Sequence, residues 1–528
     1  MAPTLGSHAT LVGPASRAPA CLNKVITTRQ FVLMAIGSSV GAGLLVSTGQ
    51  ALAVSGPAPV FITFNIIGLA VWITMCSLGE LSTNFPVRGS FYEFSVRFIS
   101  PSWGFAMGWN IVMNYVFIVP FEIIVMVMCV RFWDPDISAF CLAPLFVFGL
   151  AIIYAFGAKW YAEAENIFGI LKILVIGAFV VTALCVLAGA VPTDTRPAGQ
   201  LAYQSWRSEA FKNGTPGFLF AFMASGMAYG GTEMLGLTAA ECRSPNYVMK
   251  LASTLVAGRI ALLYIIPVLL LGLVLKIDIA PADTSREASI SPFVLAVSQA
   301  KISILPDLMN AVIVVAVFSM ANASIFAASR ALQAISARGM GPHFCASLHW
   351  DRPLGALAVV FAFSLLSFAK ASPHGDDVFM WLLSLVSCCN YLTWSSICVA
   401  QIRCRLALTR QGRVLDNPEA YRSPFGIVGS VLAVAVFVFG LAAQITTGAN
   451  NPMPSPPPVA ASFTGLAVVT VLWVGYMIYK RDNMLLVPLS QIDVGPKEGI
   501  FVASNAFDME GPDVRETGLA RADTMEIG

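Results

Sequence analysis

Charged side chains are scarce in this sequence, 11% of 528 residues, against roughly 25% in a soluble domain. The counterpart is an excess of hydrophobic residues, 57%, more than one water-soluble core could hide, so lipid is the expected solvent. A net charge of +2 is too small to mark nucleic acid as a partner. Histidine is nearly absent: His8, His343, His349 and His374 all fall in tails or loops, and there is no nucleotide-binding loop. These absences argue against an enzyme and call for no cofactor. Cysteine is present eleven times, but no pair has the spacing of a zinc site, and Cys388 and Cys389 are adjacent. Cys76, Cys129, Cys185, Cys388, Cys389 and Cys398 lie in apolar runs and read as small buried hydrophobes. The first 30 residues hold no long apolar core, so no cleavable signal peptide is expected and the first span acts as its own membrane signal. No ring of repeated acids marks a channel pore.

What is present is a series of apolar runs. A helix needs about 20 residues to cross about 30 Å of hydrocarbon. Twelve segments qualify, at about 31–49, 58–79, 105–130, 142–157, 167–190, 217–240, 253–275, 308–328, 354–368, 378–400, 427–445 and 463–479. The expected fold is therefore an all-α membrane protein of about 12 transmembrane helices. Basic residues set its orientation. With the N-terminus inside, 20 of the 31 Lys and Arg fall on that side and 8 on the other, the last three lying beyond residue 490. Both termini are thus expected in the cytosol. Residues 1–30 form an N-terminal cytosolic tail, about 31–480 the transmembrane domain, and 481–528 a polar cytosolic tail, most of it expected to be mobile. Asn213-Gly214-Thr215 is a glycosylation sequon, but it lies too near span 6 for ready modification.

Span 1 carries Gly37-Ser38-Ser39-Val40-Gly41-Ala42-Gly43. Small residues in a transmembrane helix serve close packing, which is one reading. The other is a place where the helix breaks, tolerated at that depth only where the released N–H and C=O groups line a cavity or meet a ligand. Span 6 offers a partner in Ser225-Gly226-Met227-Ala228-Tyr229-Gly230-Gly231-Thr232-Glu233. A charge at mid-membrane is penalised by about 2.5–3.5 kcal/mol on insertion scales, so such residues usually face a site. Interrupted spans at matching positions of two halves point to a transporter binding site. Spans 1 and 6 are five apart, as an inverted five-helix repeat requires. Half-helix N-termini there would offer N–H groups to a carboxylate.

Other polar residues within spans are Glu122 in span 3, just after Pro120, Lys172 in span 5, Arg259 in span 7 and Asn322 in span 8. Arg259 is expected to snorkel to the cytosolic face. Lys172 lies about one and a half turns inside that face and either snorkels likewise or stays within the bundle. Asn322 is placed to bridge helices. Glu122 and Glu233 read as functional acids that meet a substrate amino group or take part in proton transfer.

An ordered set of short motifs then carries a resemblance. It comprises the Gly-rich run of span 1 with Gly49-Gln50-Ala51-Leu52-Ala53 and Ser55-Gly56-Pro57-Ala58, then Ser77-Leu78-Gly79-Glu80-Leu81 and Gly89-Ser90-Phe91. Next come Gly104-Phe105-Ala106-Met107-Gly108-Trp109-Asn110, Ala162-Glu163-Ala164-Glu165, Gly231-Thr232-Glu233, Arg259-Ile260, Ser291-Pro292-Phe293 and Ala328-Ser329-Arg330. The chain resembles the yeast (fungal) amino acid transporter family of the amino acid–polyamine–organocation superfamily. The resemblance implies a leucine-transporter-type 5+5 inverted repeat, at about 31–190 and 217–403, plus two extra helices at about 427–479.

It also implies proton-driven import of an amino acid at the plasma membrane, so the partners are a small amino acid, protons and the lipid bilayer. The stretch Ser38, Ser39, Gly41, Ala42 and Gly43 would receive the substrate carboxylate. The amino group would lie by the broken part of span 6, with Ser225, Tyr229, Gly231 and Glu233. Tyr229 stands where relatives usually carry a gating Phe. Glu122, Lys172 and Glu233 are the proton-coupling candidates; in some proton-linked relatives a span-5 lysine replaces a sodium ion between spans 1 and 8. The chain departs from the pattern at Ser38, Ser39, Ala42 and Gly230. The loss of bulk at Ala42 and Gly230 leaves room for a larger amino acid or an amino-acid-like cation such as carnitine or a polyamine. A non-transporting nutrient receptor of the same fold is disfavoured by the short N-terminal tail.

Overall fold

The computed structural model describes residues 31, 39–85, 91–190, 206–207, 209–238, 245–275, 291–300, 302, 304–349, 352–372, 375–413, 420–449, 459–481 and 484–495. Ser38 lies outside the described residues. The chain divides into two units, Met1–Ile492 and Asp493–Gly528, and the helices among the described residues belong to the first.

Helix occurs at every predicted span. Among the described residues nine helices are long and apolar enough to cross a membrane: Pro57–Asn84, Pro101–Val130, Ala139–Phe156, Trp160–Leu187, Tyr247–Val274, Leu305–Ala337, Asp377–Arg410, Gly426–Thr447 and Phe463–Lys480. These are spans 2 to 5, 7, 8 and 10 to 12. Span 9 is the shorter apolar helix Leu354–Lys370, and spans 1 and 6 are interrupted. Several helices start earlier than hydropathy alone indicates. Span 3 begins at Pro101, with the Ser100 hydroxyl accepting from the Trp103 N–H at 3.2 Å and proline fixing φ in the first turn. The helix of span 5 begins at Ala158, which brings Glu165 inside it. Span 7 contains a π-helical turn, Ala261–Ile265, in which the Ile266 N–H reaches the Ala261 carbonyl. Pro267 follows two residues into the next helix; it has no N–H to return to residue 263, so the regular ladder cannot continue there.

Burial sorts the spans into a core and a shell. The most apolar stretches of spans 3 and 10 are 89% buried, whereas those of spans 4 and 12 are 17% and 11% buried. The shell keeps large apolar side chains on its outer surface, with Phe140 and Phe148 each 63% exposed and Ile478 73%. Water would penalise such a surface by roughly 25 cal/mol per Å²; lipid does not.

The basic end of the bundle is fastened by buried charge. Glu80 of span 2 accepts from Arg405 of span 10 at 2.8 and 2.5 Å, from Gln401 at 3.1 Å and from the Ser423 N–H at 2.7 Å. Removing one partner of such a pair is worth about 3–5 kcal/mol, so the Ser77–Leu81 motif finds its explanation here in stability. A short helix, Phe91–Phe98, follows span 2, and its Glu93 pairs with Arg338 at 2.5 Å.

The start of the 481–528 tail is not loose. Residues 484–492 are docked: the Val487 N–H donates to the Ile99 carbonyl at 2.8 Å, Arg403 donates to the Val487 carbonyl, and Gln411 donates to the carbonyls of Leu489 and Ile492 at 3.0 and 2.8 Å. Arg403 and Gln411 come from the end of span 10, which composition of the tail alone does not reveal. At the opposite end the sequon residue Asn213 donates to the Val54 carbonyl at 2.9 Å, tying the start of span 6 to the end of span 1.

Candidate functional site

In span 1, Phe31 is helical, Ser39 to Gly41 are not, and helix follows as Ala42–Leu45 and Ser47–Ser55. Gly41 at the break is extended, with φ −144° and ψ −156°. A side chain there would collide: an added Cβ would stand 2.8 Å from Glu122 Oε1 and 2.7 Å from Met320 Cγ. At Gly43 the same construction falls 2.8 Å from Ala228 Cα and 2.9 Å from the Met227 carbonyl. Ala228 is the last helical residue before the break of span 6. The glycines therefore let the two broken spans meet backbone to backbone. In span 6, Tyr229 to Glu233 form turns, Gly231 has φ +85°, and helix resumes as Met234–Thr238. Positive φ at Gly231 is readily reached only without a side chain.

Glu122 reaches across from span 3 and accepts from the Ala42 N–H at 3.1 and 3.3 Å. Its carboxylate thus already occupies one of the donors expected for a substrate. Lys172 is wholly buried and its Nζ lies 3.8 Å from Glu165 Oε1. It does not snorkel. Glu165, also fully buried, accepts from Ser319 at 2.8 Å and Asn322 at 3.5 Å, both on span 8. Glu165 was not among the candidates from sequence, although its spacing of seven from Lys172, two helical turns, would have shown the pairing once span 5 was extended toward its start. Glu122 is within Coulombic reach of Lys172.

At the break of span 6, Glu233 is fully buried and accepts from Tyr115 Oη and Trp394 Nε1, both at 2.9 Å. Arg259 departs from expectation: it is 4% exposed, and its Nη2 donates to Thr232 Oγ1 at 2.7 Å. The interrupted helix supplies the polar partner that a headgroup would otherwise provide. Ser225 turns its hydroxyl back to the Phe222 carbonyl of its own helix at 3.0 Å. The room expected beside Gly230 is filled. An added Cβ there would stand 2.5 Å from Asn390 Nδ2, which donates to the Gly226 carbonyl at 3.1 Å and whose Oδ1 accepts from Asn114 at 2.7 Å.

Tyr229 is fully buried and its hydroxyl donates to the Phe64 carbonyl at 2.9 Å. Its ring stacks on Tyr264, with centroids 4.6 Å apart at 20°. Tyr264 belongs to the π-turn of span 7, and its hydroxyl lies 2.8 Å from both Ser39 Oγ and the Ser39 carbonyl. One residue therefore touches both breaks, and it was missed because a lone tyrosine in an apolar run reads as core. The geometry unites Ser39, Gly41, Ala42, Gly43, Glu122, Tyr229, Gly231 and Glu233 around the breaks; Lys172 stands to one side with Glu165.

Among solved structures, MhsT in complex with L-phenylalanine aligns with a TM-score of 0.53 at 15% identity, over 78% of this chain and 98% of that one. The protein is a multi-pass membrane transporter of the leucine-transporter type, with its two interruptions in spans 1 and 6. Residues 30–488 match the profile of the amino acid permease family. The chain is 36% identical over 484 residues to an amino-acid permease of Schizosaccharomyces pombe, 90% of this chain and 82% of that one. It is 34% identical over 482 residues to the general amino-acid permease GAP2 of Candida albicans, at 90% and 81% coverage. It belongs to the amino acid permease family.

Proposed function

We propose that this permease imports an amino acid across the plasma membrane with protons, both termini facing the cytosol. The observation that carries the reading is the backbone contact of the two breaks, Gly43 against Met227 and Ala228, with a buried acid beside each. Two unwound stretches in contact at mid-bundle supply N–H donors for a carboxylate and carbonyls for an ammonium group. The carboxylate is assigned to the Ser39–Gly43 stretch and the ammonium group to the Tyr229–Glu233 turn.

Of the coupling candidates Glu122, Lys172 and Glu233, the proton is assigned to Glu122, whose donor is the Ala42 N–H of the interrupted span, while Glu233 holds the turn of span 6. The Lys172–Glu165 pair links span 5 to span 8, where Met320 also meets Gly41, so a change of charge in the pair bears on the break of span 1. The driving force suffices. One charge crossing 100 mV gains about 2.3 kcal/mol, and one pH unit adds about 1.4 kcal/mol. The sum, about 3.7 kcal/mol, supports accumulation of several hundred-fold for a neutral substrate carried with one proton. A second reading, an amino-acid-like cation as substrate, is favoured by one feature: three buried acids, Glu122, Glu165 and Glu233, stand near two buried bases, Lys172 and Arg259.

Uptake of a panel of labelled amino acids, carnitine and polyamines by permease-deficient yeast tests both readings. Accumulation of an amino acid that collapses with a protonophore and ignores sodium removal is expected. Strict sodium dependence would overturn the proton claim, and transport of the cations alone would favour the second reading.

A further inference from the structure

The geometry points to Tyr264 as a substrate-binding residue: its hydroxyl and that of Ser39 form a pair of donors for the substrate carboxylate. The assignment rests on the proposed site at the two breaks and adds to it a residue from span 7, outside the interrupted helices. The reasoning begins with the donors. Ala42, the first helical residue after the break of span 1, already gives its N–H to Glu122 at 3.1 Å. An arriving carboxylate must draw on other groups.

Beside the remaining N–H groups of the break stand two hydroxyls bonded to each other. Tyr264 Oη lies 2.8 Å from Ser39 Oγ and 2.8 Å from the Ser39 carbonyl. Each hydroxyl has one proton. The arrangement that satisfies all three oxygens has Tyr264 donating to the carbonyl and Ser39 donating to Tyr264. Both protons sit on rotatable C–O bonds, so both can turn to an anion with little movement of heavy atoms. A carboxylate only accepts, and hydrogen bonds to it are shorter and stronger than those between neutral groups. Exchanging the closed pair for two bonds to a carboxylate is therefore favourable, although the Ser39 carbonyl gives up its partner.

The phenol is held in place from several sides. The π-turn Ala261–Ile265 carries it, and such turns recur at functional sites because they re-aim a side chain that a regular helix would direct elsewhere. Its ring rests on Tyr229, which is itself anchored to the Phe64 carbonyl. Gly68 completes the wall, since a Cβ there would stand 2.7 Å from Tyr229 Oη. The buried Arg259, five residues before Tyr264 and bonded to Thr232, brings a positive charge to a neighbourhood that also holds Glu122 and Glu233. On a regular helix residues five apart point about 140° from each other; both are buried here, with the π-turn intervening. Binding of the carboxylate would thus be felt at both breaks, at Ser39 directly and at Tyr229 through the stacked ring.

The test compares a transported amino acid with its carboxamide as competitors for uptake of the labelled amino acid. Tyr264→Phe should raise the half-inhibiting concentration of the acid on the order of 10-fold, as expected for losing one hydrogen bond to a charged group. That of the carboxamide should stay within about twofold, since the lost bond is specific to the anion. A residue with only a packing role would shift both alike or neither. Ser39→Ala should reproduce the selective loss. If Tyr264→Phe does not reach the cell surface, Ser39→Ala decides. An unchanged preference for the acid in a surface-expressed variant, with the wild type discriminating normally, overturns the hydroxyl pair alone. A wild type indifferent to the carboxylate overturns the proposed site together with it.

Discussion

The two broken spans each meet an acid, but the acids are held differently. Glu233 is gripped by Tyr115 and Trp394, side chains on the continuous spans 3 and 10, and by the main chain of its own turn at Gly231 and Glu233, none of them part of span 1. Glu122 is gripped by the main-chain N–H of Ala42, part of the interrupted backbone itself. If the break of span 1 moves during transport, the donors to Glu233 stay where they are and the donor to Glu122 departs. A carboxylate whose hydrogen bond comes and goes has a charge state linked to conformation. On this account Glu233 fixes the geometry of span 6, and Glu122 joins proton binding to the opening and closing of span 1.

The harshest way to break the comparison is to prise Glu122 away from Ala42. Gly41→Val places a branched side chain where even a Cβ would stand 2.8 Å from Glu122 Oε1. Uptake should fall by more than about 100-fold while surface expression is retained, since close approach of a backbone to its partner admits only glycine. Normal uptake would return the motif to simple helix packing.

Amide substitutions sharpen the contrast. In Glu233→Gln the amide keeps one acceptor, and the Tyr115 hydroxyl can turn to accept from the new NH₂ group, so one bond is weakened by about 1 kcal/mol. Uptake measured by initial rates should drop about 5-fold with its pH dependence kept. Glu122→Gln cannot ionise, and its uptake should lose pH dependence. If both variants keep wild-type affinity and pH dependence, neither acid has the assigned role.

A milder perturbation probes the packing behind span 6. Gly230→Ala drives a methyl to 2.5 Å from the Asn390 amide, an overpacking worth about 1–3 kcal/mol. Substrate affinity should weaken several-fold, and adding Asn390→Ala should restore part of it. An unaffected Gly230→Ala would mean that Asn390 yields freely and that the space is available to substrate after all.

Much of this arrangement was legible in the sequence because breaking a helix in lipid demands particular residues. Glycine runs five spans apart located both interruptions, and two acids at mid-membrane located the groups beside them. What escaped depends on partners distant in sequence. Glu165 looked like the approach to span 5 because hydropathy cannot sense a polar residue that pairs with Lys172 and Ser319 inside the bundle. Arg259 looked like a snorkelling residue because only the turn of span 6 offers it Thr232. The space beside Gly230 looked open because Asn390, which fills it, lies 160 residues away. Tyr264 gave no signal, since a π-turn leaves no mark on hydrophobic periodicity beyond a proline nearby.

Whether Glu122 couples protons to substrate is tested most directly by the proton uptake that a transported amino acid provokes in a lightly buffered cell suspension. The wild type and Glu233→Gln should take up about one proton per amino acid, as the electrochemical arithmetic supposes. Glu122→Gln should take up none, whatever transport remains. A Glu122→Gln variant that still carries one proton with each amino acid would contradict the account.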